Sequence, residues 1–201
     1  MYATVHTLDG IPGPQDRSWV DEVLTALRSR GVPAGALVAA PLGLGPGAAV
    51  ALWDDERDAA AAPVGSVGTV GTVTLGAGRP YEVDVRKAGA GPGPARSLQL
   101  LIFDGPRSAE WSAAFDRAGE HRVWPAVRDV PGIVEFLAGR AADGARFGAT
   151  AAGSAEALED ATKAILSTEL LPGEDPADLV GPDCVAVLRL LHADLPVGAD
   201  R

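Results

Sequence analysis

The chain has 201 residues, 47% of them hydrophobic, and a formal net charge of −10. That apolar content builds a globular core. The acidic excess, with no Lys/Arg block to displace counterions, excludes nucleic acid or an anionic lipid surface as an expected partner. One cysteine, Cys184, excludes an internal disulfide and, lying between Asp183 and an apolar run, reads as a buried structural thiol. No basic-then-apolar leader precedes Tyr2, so the expectation is a soluble, cytoplasmic protein.

Tyr2 to Leu8 is rich in β-branched and aromatic residues and is stopped by Asp9-Gly10, Pro12 and Pro14, which makes it a first strand with Tyr2, Thr4, His6 and Leu8 on one face. Ser18, three residues before Asp21, reads as the N-cap of a helix. Its Val20, Val23, Leu24 and Leu27 fall at i, i+3, i+4 and i+7 before a stop at Gly31 and Pro33. Val32 to Trp53 then runs without a charge. Three prolines and four glycines in that run would break a membrane-spanning helix repeatedly, so it reads as two buried strands around a Gly/Pro turn. Asp54-Asp55-Glu56 suits the positive end of a short helix, Glu56 to Ala62, ended by Pro63. Val64 to Arg79 is Gly-rich and reads as a loop or a weak strand around Thr69 to Leu75; Tyr81 to Lys87 alternates as a half-exposed strand.

Ala88 to Ala95 holds no side chain larger than Pro. It reads as a linker, residues 89–96, between a first unit of residues 1–88 and a second of residues 97–195, with 196–201 as a tail. Beyond it the element order begins again. Leu98 to Phe103 is a strand; Ser108 caps a helix carrying Trp111, Ala114, Phe115 and Ala118, with His121-Arg122 near its end. Ile133 to Ala138 and Arg146 to Ala151 form a hairpin around Asp143-Gly144. Ser154 caps a helix, Ala155 to Ser167, with Leu158, Ala161 and Ile165 inward. Glu174-Asp175-Pro176 opens a helical turn, and Val185 to Leu191 is the closing strand. Asp9-Gly10 recurs as Asp104-Gly105 and Val32-Pro33 as Val130-Pro131, offsets of 95 and 98. Both halves thus read β-α-β-β-α-β. The expected fold is α+β: two ferredoxin-like repeats packed sheet to sheet in one barrel-like core, which accounts for hairpins apolar on both faces.

Three segments carry a resemblance to a known family: Trp124-Pro-Ala-Val-Arg-Asp-Val-Pro-Gly-Ile133 entering a strand, Ala51-Leu-Trp-Asp-Asp-Glu56 leaving one, and Ser154-Ala-Glu-Ala-Leu158 opening a helix. With the element order, they resemble the antibiotic-biosynthesis-monooxygenase-like branch of the dimeric α/β barrel superfamily, in a tandem form that supplies both protomers from one chain. The resemblance implies a pocket between helices and sheet in each half. It also implies cofactor-independent oxygenation of an aromatic or polyketide-like molecule, for which a base or an oxyanion stabiliser in a dry site is required. Relatives that use an Asn in that role are not matched here, because the chain contains no Asn. The alternative is a non-catalytic hydrophobic-ligand-binding or structural member of the same fold.

The candidate catalytic residues are His6 and His121, each a potential base. Trp53, at the end of the third strand, is a candidate pocket residue with no aromatic counterpart near Ala152. Trp111, Phe115, Phe136 and Phe147 form a candidate aromatic lining in the second half. Each has a plain structural counter-reading: core aromatics, a hydrogen-bonded buried His, and basic residues answering a helix dipole. The three His are widely separated and no Cys or carboxylate stands at ligand spacing, so no metal is expected; no nucleotide loop is present, and no cofactor is expected. The expected partner is a hydrophobic small molecule, and the expected state is a monomer with an internal pseudo-dimer or a weak homodimer.

Overall fold

The computed structural model describes residues 1–12, 16–29, 31–61, 68–70, 73–176 and 180–195, with residues 68–70 described by backbone alone. The end of the short helix at Ala62-Pro63, most of the Gly-rich stretch after it, the residues following Pro176 and the tail after Leu195 lie outside the described residues. The elements in chain order are β1 (Tyr2–Asp9), α1 (Ser18–Arg28), β2 (Gly35–Pro41), β3 (Gly47–Trp53), α2 (Glu56–Ala61), β4 (Gly68–Val70), β5 (Val73–Leu75), β6 (Arg79–Ala88), β7 (Ser97–Phe103), α3 (Ala109–Ala118), a π-helical segment (Gly119–Val123), α4 (Trp124–Val127), β8 (Ile133–Arg140), β9 (Arg146–Ala152), α5 (Ala155–Leu166) and β10 (Cys184–Asp194).

Eight strands close into an antiparallel barrel. Their order is β3-β2-β10-β7-β9-β8-β6-β1, and β1 pairs back onto β3. β5 and β4 continue outward from the end of β1, which holds β5 through Leu8 and Asp9. Within residues 2–88 the long strands lie in the order β6-β1-β3-β2; within residues 97–194 the order is β10-β7-β9-β8. The halves are joined by β2 on β10 and β6 on β8.

A closed barrel with helices outside buries both faces of a strand, and the uncharged run reflects this. Leu37, Ala39, Val50 and Leu52 point into the barrel with Tyr81, Leu98, Leu137, Phe147 and Leu188. Their neighbours Ala36, Val38, Ala49, Ala51 and Trp53 point outward beneath α1, against Trp19, Val20, Val23, Leu24 and Leu27. β3 and β9 are buried at every position. A smaller outer core of Val127, Ile133, Ala152, Ala157, Leu158 and Ala161 lies under α4 and α5. At ~25 cal/mol per Å² of apolar area buried, these layers are the main stabilising term.

Two helix starts follow the sequence. Ser108 Oγ accepts from Trp111 N at 3.1 Å and Ser154 Oγ from Ala157 N at 3.3 Å, as N-caps do. Ser18 does not cap α1: it is the first helical residue, its hydroxyl donates to Asp16 Oδ1 (2.7 Å), and its amide donates to the same oxygen (3.0 Å). Asp16 therefore takes the anionic place at this helix start, and Trp19 Nε1 fixes the approach by donating to Asp16 O at 3.0 Å.

The segment after α3 also differs from expectation. Residues 124–127, read as the approach to a strand, are helical. Pro125 has no N–H to offer the preceding turn, and the chain widens into a π segment just before it, with Trp124 N–H bonded to Gly119 O.

Candidate functional site

In the first half the candidate residues His6 and Trp53 meet through Thr4. Register sets this up: Tyr2 pairs with Trp53 and Thr4 with Ala51, and Thr4 and His6 share the outer face of β1. Trp53 Nε1 donates to Thr4 Oγ1 at 3.0 Å, and Thr4 Oγ1 lies 3.1 Å from His6 Nε2. An indole only donates and the Gly76 carbonyl at the other ring nitrogen only accepts, so the Thr4 oxygen accepts from Trp53 and its proton points to His6 Nε2. The other ring nitrogen, Nδ1, then carries the hydrogen and donates to Gly76 O at 3.0 Å. All three side chains are buried. The loop before β6 seals the imidazole from outside: a Cβ at Gly78 would fall 2.2 Å from His6 Cε1, which only glycine avoids. The chain of bonds fixes the orientation of the His6 ring.

The second half handles its aromatics differently. Trp111 and Phe115 stack at 4.9 Å, and both rings lean on buried Phe103 at 5.8 and 5.0 Å. Cations close the two ends: the Arg107 guanidinium lies 5.4 Å from the Trp111 ring centre and that of Arg146 5.1 Å from the Phe115 ring centre. Arg146, itself buried, is also held bidentately by Asp116, one of the two bonds measuring 3.1 Å. Phe136 stands apart, stacked on Trp124 at 6.2 Å with Lys87 Nζ 5.7 Å from the Trp124 ring centre. Phe147 lies inside the barrel against Tyr81 at 4.8 Å. The expected four-aromatic lining is therefore not assembled. Phe147 pairs with Gly139, and Leu137 on that same face points inward, so Phe136 must point outward.

His121 sits on the π segment with its side chain 60% exposed. Its neighbour Arg122 turns inward to Glu174, with Nε 3.0 Å from Oε2, and both side chains are largely buried. Successive helical residues diverge, so these two do not act as the pair their adjacency suggests. Cys184 is exposed, contrary to the buried thiol expected, because it is the first residue of β10 at the barrel rim, next to half-exposed Val185. Among the described residues no three His, Cys, Asp or Glu side chains are grouped to hold a metal ion, and no helix is long and apolar enough to cross a membrane.

At that rim lies a half-open cavity of about 220 Å³. Its walls are Val5, Ala48, Leu100, Ile102, Ala186 and Leu188 with buried Tyr81; His6 and Thr7 border it from β1, and Arg79, Asp104 and exposed Cys184 complete it. Arg79 donates to Asp104 Oδ1 at 2.8 Å and lies 3.9 Å from Asp143 Oδ2. Burial pushes the Tyr81 hydroxyl above its ordinary pKa, with Arg79 working against the rise, so the phenol stays neutral. Sequence reading passed over Arg79 and Tyr81, although the alternation along β6 places them on one face with Val83. A larger hollow of about 390 Å³ along Asp21, Glu22, Thr25, Ala26 and Ser29 is a shallow groove on the solvent face of α1, without convergent polar groups.

No protein-family model matches the sequence, and no curated protein matches it. Solved structures do. A candidate monooxygenase of Fusobacterium nucleatum superposes with a TM-score of 0.63 at 11% identity, over 100% of this chain and 97% of that one. An anthrone oxidase-like protein matches at 0.55 and 15% identity, over 100% and 97%. A major regulator of staphylococcal pathogenesis matches at 0.54 and 11%, over 98% and 100%. At these identities the likeness is one of architecture: the chain has the α+β closed-barrel fold seen in monooxygenase-like proteins.

Proposed function

We propose that the chain is an antibiotic-biosynthesis-monooxygenase-like protein, built from two ferredoxin-like repeats, that binds a small hydrophobic molecule without oxidising it. The observation that carries the non-catalytic reading is the state of the two candidate bases. His6 borders the rim cavity, but both its ring nitrogens are engaged and Gly78 lies against its ring, and His121 projects into solvent from an outer helix. Cofactor-independent oxygenation needs a base within hydrogen-bond reach of the substrate proton, in a site from which water is excluded. The repeat reading is supported by the identical strand order in the two halves and by the matching registers Tyr2 with Trp53 and Ser97 with Ala152.

Oxygen-electrode assays with anthrones and other readily deprotonated aromatics are expected to give uptake no faster than heat-denatured protein. Sustained turnover, lost in His6→Ala or His121→Ala, defeats the reading and restores the oxygenase one. The same proposal makes the protein a monomer, because the β2–β10 and β6–β8 pairings that join the repeats lie within one chain. Light scattering is expected to return a mass near 20.5 kDa.

A further inference from the structure

We infer that the cavity at the rim of the barrel is a binding site for a neutral aromatic molecule of one or two rings that carries one hydroxyl or carbonyl oxygen. This rests on the binding reading above and gives it a place and a ligand class. The place differs from the helix-side pockets that the family resemblance implies, for a physical reason. On the helix side, the first half is filled by Trp19 and Trp53, and the second by the Phe103, Trp111 and Phe115 stack with its two arginines. The interior end of the barrel is not filled, because its strands bring Ala48 and Ala186 where larger side chains would meet.

Size sets the ring count. A cavity of roughly 150 Å³ holds benzene, and drug-sized ligands take roughly 300–1,000 Å³. At about 220 Å³ the barrel end accepts one or two fused rings and excludes a polyketide of four. Chemistry sets the rest. The walls are mostly apolar, with His6 engaged by its own hydrogen bonds; Tyr81, whose oxygen accepts from Arg79, keeps its neutral O–H to donate to an oxygen on the ligand. Arg79 has no charge to spare, with Asp104 2.8 Å away and Asp143 3.9 Å; Asp183, which accepts from the Asp104 amide at 2.8 Å, is paired with Arg107 at 2.7 Å, so three carboxylates face two guanidiniums. A carboxylate arriving there finds both guanidiniums already paired and one carboxylate in excess, so the ligand is uncharged.

Cys184, the sole cysteine, lies on the cavity wall and is exposed, which makes it a native reporter. Alkylation of the intact protein by N-ethylmaleimide, followed by mass spectrometry, is expected to slow about tenfold when 2-naphthol is present at roughly ten times its dissociation constant. Under the same conditions 2-naphthoate leaves the rate unchanged. Ala186→Phe, which fills the cavity, abolishes the naphthol effect while circular dichroism reports a folded barrel. Tyr81→Phe weakens 2-naphthol severalfold and leaves plain naphthalene unaffected. Naphthoate protecting as well as naphthol overturns the neutral class. Calorimetric binding of naphthol without protection of Cys184 overturns the site but leaves the hydrophobic-binding reading standing, and the absence of any binding overturns both. Oxygen uptake with protection intact overturns the non-catalytic reading and leaves the site.

Discussion

Where β3 ends beside the start of β1, the first half carries Trp53; in the matching register of the second half stands Ala152. Both are buried, but the space around them is filled in opposite ways. The first half encloses its indoles: Trp53 is bonded to Thr4, and Trp19 packs in the same layer. The second half buries only small and aliphatic side chains in the cluster with Ala152, edged by partly buried Trp124, and lays Trp111, Phe115, Trp124 and Phe136 half-exposed on its outer side, flanked by Arg107, Arg146 and Lys87. One strand order thus supports a sealed, hydrogen-bonded core and a cation-lined aromatic surface. The same register position holds an indole in one half and a methyl group in the other, so fold alone does not locate a site.

The contrast has measurable consequences. Trp53→Ala removes a fully buried ring and a buried hydrogen bond, and is expected to cost about 3–5 kcal/mol in urea unfolding; a loss below about 2 kcal/mol would mean the first half is not tightly sealed. Thr4→Val keeps the shape but leaves Trp53 Nε1 and His6 without their shared partner, at about 2–3 kcal/mol, and its ¹H NMR indole resonance for Trp53 should move sharply. Trp111→Ala strips a half-exposed ring from a stack that retains Phe115 and Phe103, so about 1–2 kcal/mol is expected. A Trp111 cost equal to that of Trp53 would erase the distinction between the halves. The smallest effect concerns helix starts: Ser154→Ala loses a true cap and costs about 1 kcal/mol, whereas Ser18→Ala, which caps nothing, stays within about 0.5 kcal/mol.

Much of the architecture was legible because a two-faced barrel leaves its mark on periodicity. The uncharged hairpin at 32–53, the i, i+3, i+4, i+7 spacing of α1 and the recurring Asp-Gly stops all report burial that is local in sequence. What stayed hidden depends on register. Whether Phe136 and Phe147 share a face depends on which residues pair across the β8–β9 hairpin, and β8 shifts its register between Ile133 and Glu135. Cys184 is exposed because β10 begins at the rim, and no flanking residue encodes where a barrel ends. The Arg79–Asp104 pairing joins β6 to the residue after β7, 25 positions apart, through closure of the whole barrel.

Closure has a further consequence in time. β10 lies between β2 and β7 although it follows both in the chain, and it is the strand that joins β2 to the second half. During synthesis β2 therefore waits with an unpaired backbone edge, on a segment whose side chains are all apolar or glycine, until residues as far as 194 have left the ribosome. Such an edge is a template for pairing with another nascent chain. The hazard of this fold lies in the interval before its last strand arrives, and expression yield should respond to translation rate and chaperone supply more than to the stability of the finished barrel.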